Sequence, residues 1–165
     1  MKLYRSDLTV GIEDSLFEIP VDDLKIEDIR FGEPIFRCRL SSEVTLAGFK
    51  LTGNINIVTI ETCDRCLADF TRDHDIPVNL WLTPKQDLVT ESDEDLILFA
   101  DKQEWIDISE PIRDLVYLDE PFKKLCRSDC LGLCPYCGQN LNEKTCGCSD
   151  SADNNLWNDL KELVE

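Results

Sequence analysis

Eight of the nine cysteines in this chain fall into four close pairs: Cys63/Cys66, Cys126/Cys130, Cys134/Cys137 and Cys146/Cys148, with Cys38 alone. Paired thiols at such spacing support three chemistries: disulfide formation, dithiol redox exchange and metal ligation. The third fits the local sequence best. A structural zinc ion takes four ligands in a tetrahedron with Zn–S near about 2.3 Å, and two thiolates separated by two residues reach one ion from a single tight turn. "CPYCG" has the features of such a knuckle, because Pro135 stiffens the turn and Gly138 lets the backbone fold so that amide N–H groups face sulfur. "CDRC" repeats the spacing at Cys63 and Cys66.

Four pairs combine into two four-ligand sites in three ways. Cys134/Cys137 and Cys146/Cys148 are separated by only eight residues, so a local site costs little loop-closure entropy. That leaves Cys126/Cys130 to join Cys63/Cys66 across about sixty residues, tying the end of a sheet to the segment after a helix. The rival grouping of Cys126/Cys130 with Cys134/Cys137 leaves three residues between pairs and is cramped. Disulfides fit poorly with an odd count in a chain without secretory features. A redox CxxC would call for a helix N-terminus to lower a thiol pKa, and neither motif stands in a strand–helix setting. Iron suits four sulfurs as zinc does, so the ligand set alone leaves the metal as Zn²⁺ or iron, with zinc the expectation and two ions per chain. Sites closed by four protein sulfurs keep no position open for a substrate, which argues against metal catalysis.

The charge points the same way. The 165 residues carry 17 Lys or Arg against 34 Asp or Glu, a formal charge of −17. Four thiolates around a divalent ion add −2 per site, so two filled sites bring the total to −21, from −17 − 2 × 2. Such a surface repels polyanions, whose binding relies on basic residues displacing counterions, and attracts a basic partner over roughly 8 Å at physiological salt. Acidic residues concentrate between Lys85 and Glu120, where twelve face three basic ones. Asp93, Glu94, Asp95, Asp101 and Glu104 are the candidates for contact with a basic partner, set against the plainer reading of a solvated loop. Lys123, Lys124 and Arg127, with Lys144, form the exception and are the candidate RNA contacts; the alternative is charge balance beside anionic metal centres. The lone histidine, His74, sits among Arg72, Asp73 and Asp75 and is expected at the surface. No Ser–His–Asp set, phosphate-cradling glycine loop or defined carboxylate pair is present. An enzyme and a small-molecule substrate are therefore not expected. No run approaches the roughly 20 apolar residues of a membrane span, so a soluble cytoplasmic protein is expected.

These motifs require elements to hold them. Residues 1–32 read as a mixed lead-in with acidic turns at Asp22-Asp23 and Glu27-Asp28. From Pro34 strand-like runs follow: "IFRCRL", "EVTLAG", "FKLTGNINIVTIE", with Leu51, Ile55 and Ile57 on one face, and "IPVNLWL", with Ile76, Val78, Leu80 and Leu82 inward and Trp81 outward. Short connections predict an antiparallel meander, with a turn or bulge at Gly53. "LILFA" and "WIDI" are candidate edge strands. Ser109 is placed as the N-cap of a helix whose apolar stripe is Ile112, Leu115, Val116 and Leu118 and which Pro121 stops. "LWNDLKELVE" predicts a C-terminal helix through Leu156, Leu160 and Leu163. The fold class is thus α+β: a β-rich body over 1–122 with an acidic segment at 83–110, a zinc-ribbon-like cysteine module over 123–149, and a linker with a short helix over 150–165.

The ensemble of "CDRCLADF", "IDISEPIRDLVYLDEP" and "LCRSDCLGLCPYCGQNLNEKTCGC" resembles the YceD family, bacterial and plastid proteins tied to accumulation of the large-subunit ribosomal RNA. The resemblance implies a cytoplasmic, non-enzymatic role in assembling the large ribosomal subunit. It implies as partner a small basic ribosomal protein of that subunit, whose gene commonly neighbours the family's, or the pre-ribosomal large subunit itself. The motifs carry over onto Cys63 and Cys66, and onto Cys126, Cys130, Cys134, Cys137, Cys146 and Cys148. Two other functions stand beside this one: direct rRNA binding through the basic cluster, and a thiol-based redox or metal-responsive switch.

Overall fold

The computed structural model describes residues 1–84 and 96–148. Ten elements follow in order: β1 (Lys2–Tyr4), α1 (Arg5–Val10), β2 (Ser15–Pro20), α2 (Val21–Leu24), β3 (Ile35–Thr45), β4 (Gly48–Thr62), β5 (Asp69–Thr83), β6 (Leu96–Leu98), β7 (Trp105–Asp107) and α3 (Ser109–Leu118). The fold is α+β. Strands β2-β3-β4-β5-β6 form one sheet, and β1 pairs with β7 in a second.

The antiparallel meander holds from β2 through β5. It is broken by β6, which runs parallel to β5 with Leu82 opposite Ile97. Strand β7 is not an edge of this sheet but pairs with the N-terminal β1, Ile106 opposite Leu3. Residues 1–32, the mixed lead-in, belong to this body. They supply two strands and two short helices, and they bury Leu3, Leu8, Ile19 and Leu24.

Strand alternation divides the sheet into two faces. Phe36, Cys38 and Leu40 of β3, Leu51, Ile55 and Ile57 of β4, and Ile76, Val78, Leu80 and Leu82 of β5 all point into one core. Helix α3 covers it with Ile112 and Val116, and Leu115 packs at its margin. Leu118 does not belong to that stripe; it is exposed, about 200° around the helix from Val116. Gly53 has φ +156, and a Cβ there would lie 2.0 Å from the Arg39 carbonyl oxygen of the neighbouring strand, so only glycine lets β3 and β4 approach here.

Helix α3 begins differently from the sequence expectation. Ser109 is its first residue rather than its cap, and the Asp107 carboxylate accepts from the Ser109 N–H at 2.9 Å and from its hydroxyl at 2.6 Å. A carboxylate beside the positive end of a helix supplies the capping charge as a Ser hydroxyl would supply an acceptor. The bonds from Ser109 and the N-terminal amine hold Asp107 below the usual carboxylate range even though burial opposes ionisation.

His74 is buried, contrary to the surface position expected from its charged neighbours. Its even number places it on the inward face of β5 with Ile76 and Val78. Its ring meets Thr59 Oγ1 at 2.9 Å, Asp119 Oδ2 at 2.5 Å and Glu61 Oε1 at 3.6 Å. It thus joins β4, β5 and the end of α3. The expected C-terminal helix lies outside the described residues. Among those described, no helix is long and apolar enough to cross a membrane.

Candidate metal centres

The hairpin loop between β4 and β5 carries Cys63 and Cys66. Cys63 N–H donates to Ala68 O at 2.9 Å, and Leu67 N–H donates back to Cys63 O at 2.9 Å. The "CPYCG" loop repeats this pattern: Cys134 N–H to Gln139 O at 2.8 Å and Gly138 N–H to Cys134 O at 2.9 Å. In both, the residue after the second cysteine is left-handed, Leu67 at φ +57 and Gly138 at φ +72. Two sequence-distant segments therefore make one knuckle geometry. Around Gly138 a Cβ would meet nothing within 4 Å. Gly138→Ala is accordingly expected to cost only the left-handed strain, about 1 kcal/mol, in the denaturation of the metal-loaded protein; a loss several times larger would mean that the glycine also serves packing.

After α3 the chain returns to the first knuckle. Asp64 N–H donates to Lys124 O at 2.8 Å while Lys124 N–H donates to the Asp64 carboxylate at 2.6 Å. Arg65 reaches across to the Cys130 carbonyl at 2.8 Å, and Leu133 N–H donates to Arg65 O at 3.0 Å. This lacing brings Cys126 and Cys130 onto Cys63 and Cys66. The four Sγ atoms lie within 4.8 Å of one another, as do those of Cys134, Cys137, Cys146 and Cys148. The structure groups the thiols as the local and long-range sets, and not as the cramped alternative.

Distances test whether a metal fits. Cys63 Sγ lies 3.8 Å from Cys130 Sγ, and Cys66 Sγ lies 3.7 Å from Cys126 Sγ. Sulfurs at tetrahedral corners about 2.3 Å from an ion stand about 3.8 Å apart, whereas a disulfide needs about 2.05 Å. All nine cysteines are free thiols. The donor set and spacing therefore fit a tetrahedral, sulfur-preferring ion. In the first group Cys63, Cys66 and Cys130 are buried, with Phe70, Leu125 and Leu133 packed around them; in the second, Cys137 and Cys148 are exposed.

The thiols are not equivalent. Burial opposes ionisation of Cys63, but backbone N–H groups of Cys126, Cys66 and Arg65 overcome it and bring its pKa down to about 6. Burial and the neighbouring sulfurs of Cys66 and Cys130 push Cys126 up to about 12. In the second group, backbone N–H groups of Cys137 and Tyr136 lower Cys134 to about 7, whereas Cys137 and burial raise Cys148 to about 12. Each group thus has a thiol ionised near neutrality, the one that would meet an ion first, and thiols that would lose a proton only to the metal. The sign follows. Cys126 and Cys66, both raised above the ordinary thiol value, still hold protons at pH 7 and must release them on loading. Apparent affinity of the first group should rise by at least about a hundredfold per pH unit near neutrality, and more steeply below pH 6 as Cys63 protonates too. Calorimetry in buffers of different ionisation enthalpy counts those protons; an affinity flat with pH would refute this ordering.

Cys38 lies apart in the sheet core, fully buried, its thiol pushed up to about 12 by burial, and is chemically inert. Of the basic candidates, Lys124 Nζ pairs with Glu120 at 2.6 Å and Arg127 binds Asn142 Oδ1 at 2.7 Å and lies 3.4 Å from Asp129. Lys123 and Lys144 are exposed. Among the acidic candidates, Asp101 pairs with Arg5 at 3.4 Å and Glu104 is exposed on the turn before β7, while Asp93, Glu94 and Asp95 lie outside the described residues. Arg65 and Asn142, which hold the two groups together, were not singled out by sequence.

A family model described as large ribosomal RNA subunit accumulation protein YceD matches residues 51–164, which takes in both thiol groups. The chain belongs to the YceD family. An uncharacterised protein of Mycobacterium tuberculosis is 36% identical over 105 residues, covering 62% of this chain and 49% of the relative. The chloroplastic large ribosomal RNA subunit accumulation protein YCED homolog 1 of Arabidopsis thaliana is 39% identical over 72 residues, 44% of this chain and 22% of that one. Its Zea mays counterpart is 46% identical over 50 residues, 30% of this chain and 16% of the relative. The chain thus spans about half the length of the mycobacterial relative and less of the plant ones. No solved structure matches it.

Proposed function

We propose that this YceD-family chain is a non-enzymatic factor in biogenesis of the large ribosomal subunit, with two zinc-filled tetrathiolate centres fixing an acidic surface that holds a basic ribosomal protein or a protein-rich face of the precursor. The observation that carries the metal part is the pair of four-sulfur groups, each within 4.8 Å, with two tetrahedral edge lengths of 3.8 and 3.7 Å in the first. The family description supports the ribosomal role. The partner's sign follows from charge: the chain stands at −17 before any thiolate is counted. Lys124 and Arg127, two of the four candidate RNA-contacting cations, are engaged by Glu120, Asn142 and Asp129, which favours charge balance over RNA contact. Closed sulfur ligation leaves the ions a structural task. In this reading residues 1–122 form the body, 123–149 the module and 150–165 a tail.

Co-purification across ribosomal precursors tests the proposal. Charge reversal of Asp93, Glu94, Asp95, Asp101 and Glu104 is expected to release the chain from large-subunit precursors, with release also by raised salt. If that variant is retained while Lys123→Glu with Lys124→Glu abolishes binding, the chain contacts rRNA directly and the acidic-surface reading is wrong.

A further inference from the structure

The loop between Cys137 and Cys146 belongs by sequence to the second thiol group, yet one of its side chains is bonded into the first. Asn142 Nδ2 donates to Cys130 Sγ at 3.3 Å. Its Oδ1 accepts from Leu131 N–H at 2.8 Å and from Arg127 Nη2 at 2.7 Å. With two donors facing the oxygen, the amide can stand only one way round, its NH₂ towards Cys130. The loop itself is pinned. Asn142 N–H and Nδ2 both donate to Asn140 Oδ1, at 3.0 and 2.8 Å. Leu141 N–H donates to Gly132 O at 2.9 Å, and Asn140 bridges to Leu133.

We propose that Asn142 couples the two metal centres, so that filling the second group raises the affinity of the first. The proposal rests on the metal reading above. Closing the loop at Cys137 and Cys146 around an ion holds Asn142 where its amide meets the Cys130 thiolate. Such outer partners of metal ligands are worth about 10- to 100-fold in affinity. Because linkage is reciprocal, filling the first group strengthens the second by the same factor. Asn142 is thus a positioning residue that ligates nothing.

The test uses the full chain and Zn²⁺ in a series of buffered free concentrations, with brief native alkylation and mass spectrometry of each cysteine. This reads the occupancy of each group separately. Cys148→Ser, which leaves Asn142 untouched, is expected to raise the free zinc needed to protect Cys63, Cys66, Cys126 and Cys130 about tenfold or more. Asn142→Ala should do the same, and adding Cys148→Ser to it should then shift the first group little further. Folding of each variant is followed by circular dichroism of the zinc-loaded chain, and Cys148→Ser carries the decision if Asn142→Ala does not fold. Protection of the first group at unchanged zinc in Cys148→Ser overturns the coupling, while two protected groups in the parent chain keep the metal reading. No protection of either group in the parent chain overturns both.

Discussion

Removing the metal from the loaded protein with a strong chelator is expected to release residues 124–141 from the sheet while the sheet itself stays folded. The contrast follows from what holds each part. The main core has 23 buried residues drawn from both sheets and all three helices. The module has a cluster of three buried cysteines with Phe70, Leu125, Cys126 and Leu133 around it, and a few backbone bonds to Asp64 and Arg65. Filled zinc sites of this type contribute on the order of 10 kcal/mol of apparent binding, far more than that small cluster. Hydrogen exchange should therefore show amide protection at Asp64, Leu133, Cys134 and Leu141 falling at least about a thousandfold on chelation. Protection in β3 and β4, by contrast, should change little. A module that keeps its protection without metal would show that packing alone forms it.

The second large effect lies at His74. Its side chain is 6% exposed and that of Glu61 4%, so the carboxylate sits in the interior facing the ring. Glu61 Oε2 has no hydrogen bond among the described residues, and Arg72 Nε, 3.3 Å away, serves it only as a nearby charge. His74→Ala removes one of the few groups facing this carboxylate and cuts the link to Asp119 at the end of α3. Losing a buried ring together with its hydrogen bonds to Thr59 and Asp119 makes this costly, about 3 kcal/mol. Glu61 keeps Arg72 Nε at 3.3 Å, so Glu61→Gln in the same chain should recover little of the loss. Urea denaturation of the single and double variants measures both; a loss under about 1 kcal/mol for His74→Ala would mean water replaces the ring.

His74 also marks what the sequence allowed one to see. The alternation Ile76, Val78, Leu80, Leu82 was plain, and continuing it two residues back would have put His74 inside. The charges at Arg72, Asp73 and Asp75 concealed that, although Asp73 and Asp75 mean only that odd positions face water and Arg72 turns to the buried Glu61. Cysteine spacing was the clearest signal, because two thiols in a tight turn need a fixed local geometry. Chain entropy then favoured the grouping that the structure has. Less was legible where pairing is long-range. Nothing local states that β6 lies parallel to β5 or that β7 pairs with the first strand, since both depend on where distant segments meet. "SLFEIP" was too short an alternation to stand out as β2. Asn142 carries no spacing signature at all; its role exists only once two loops are folded together.

The central claim is that eight thiols form two closed zinc centres. Native mass spectrometry of the purified full chain, with elemental analysis of the same sample, tests it most directly. Two zinc ions per chain are expected, with the eight grouped cysteines protected from alkylation until the metal is withdrawn. A chain that binds no metal and whose eight thiols react freely or join as disulfides would contradict it.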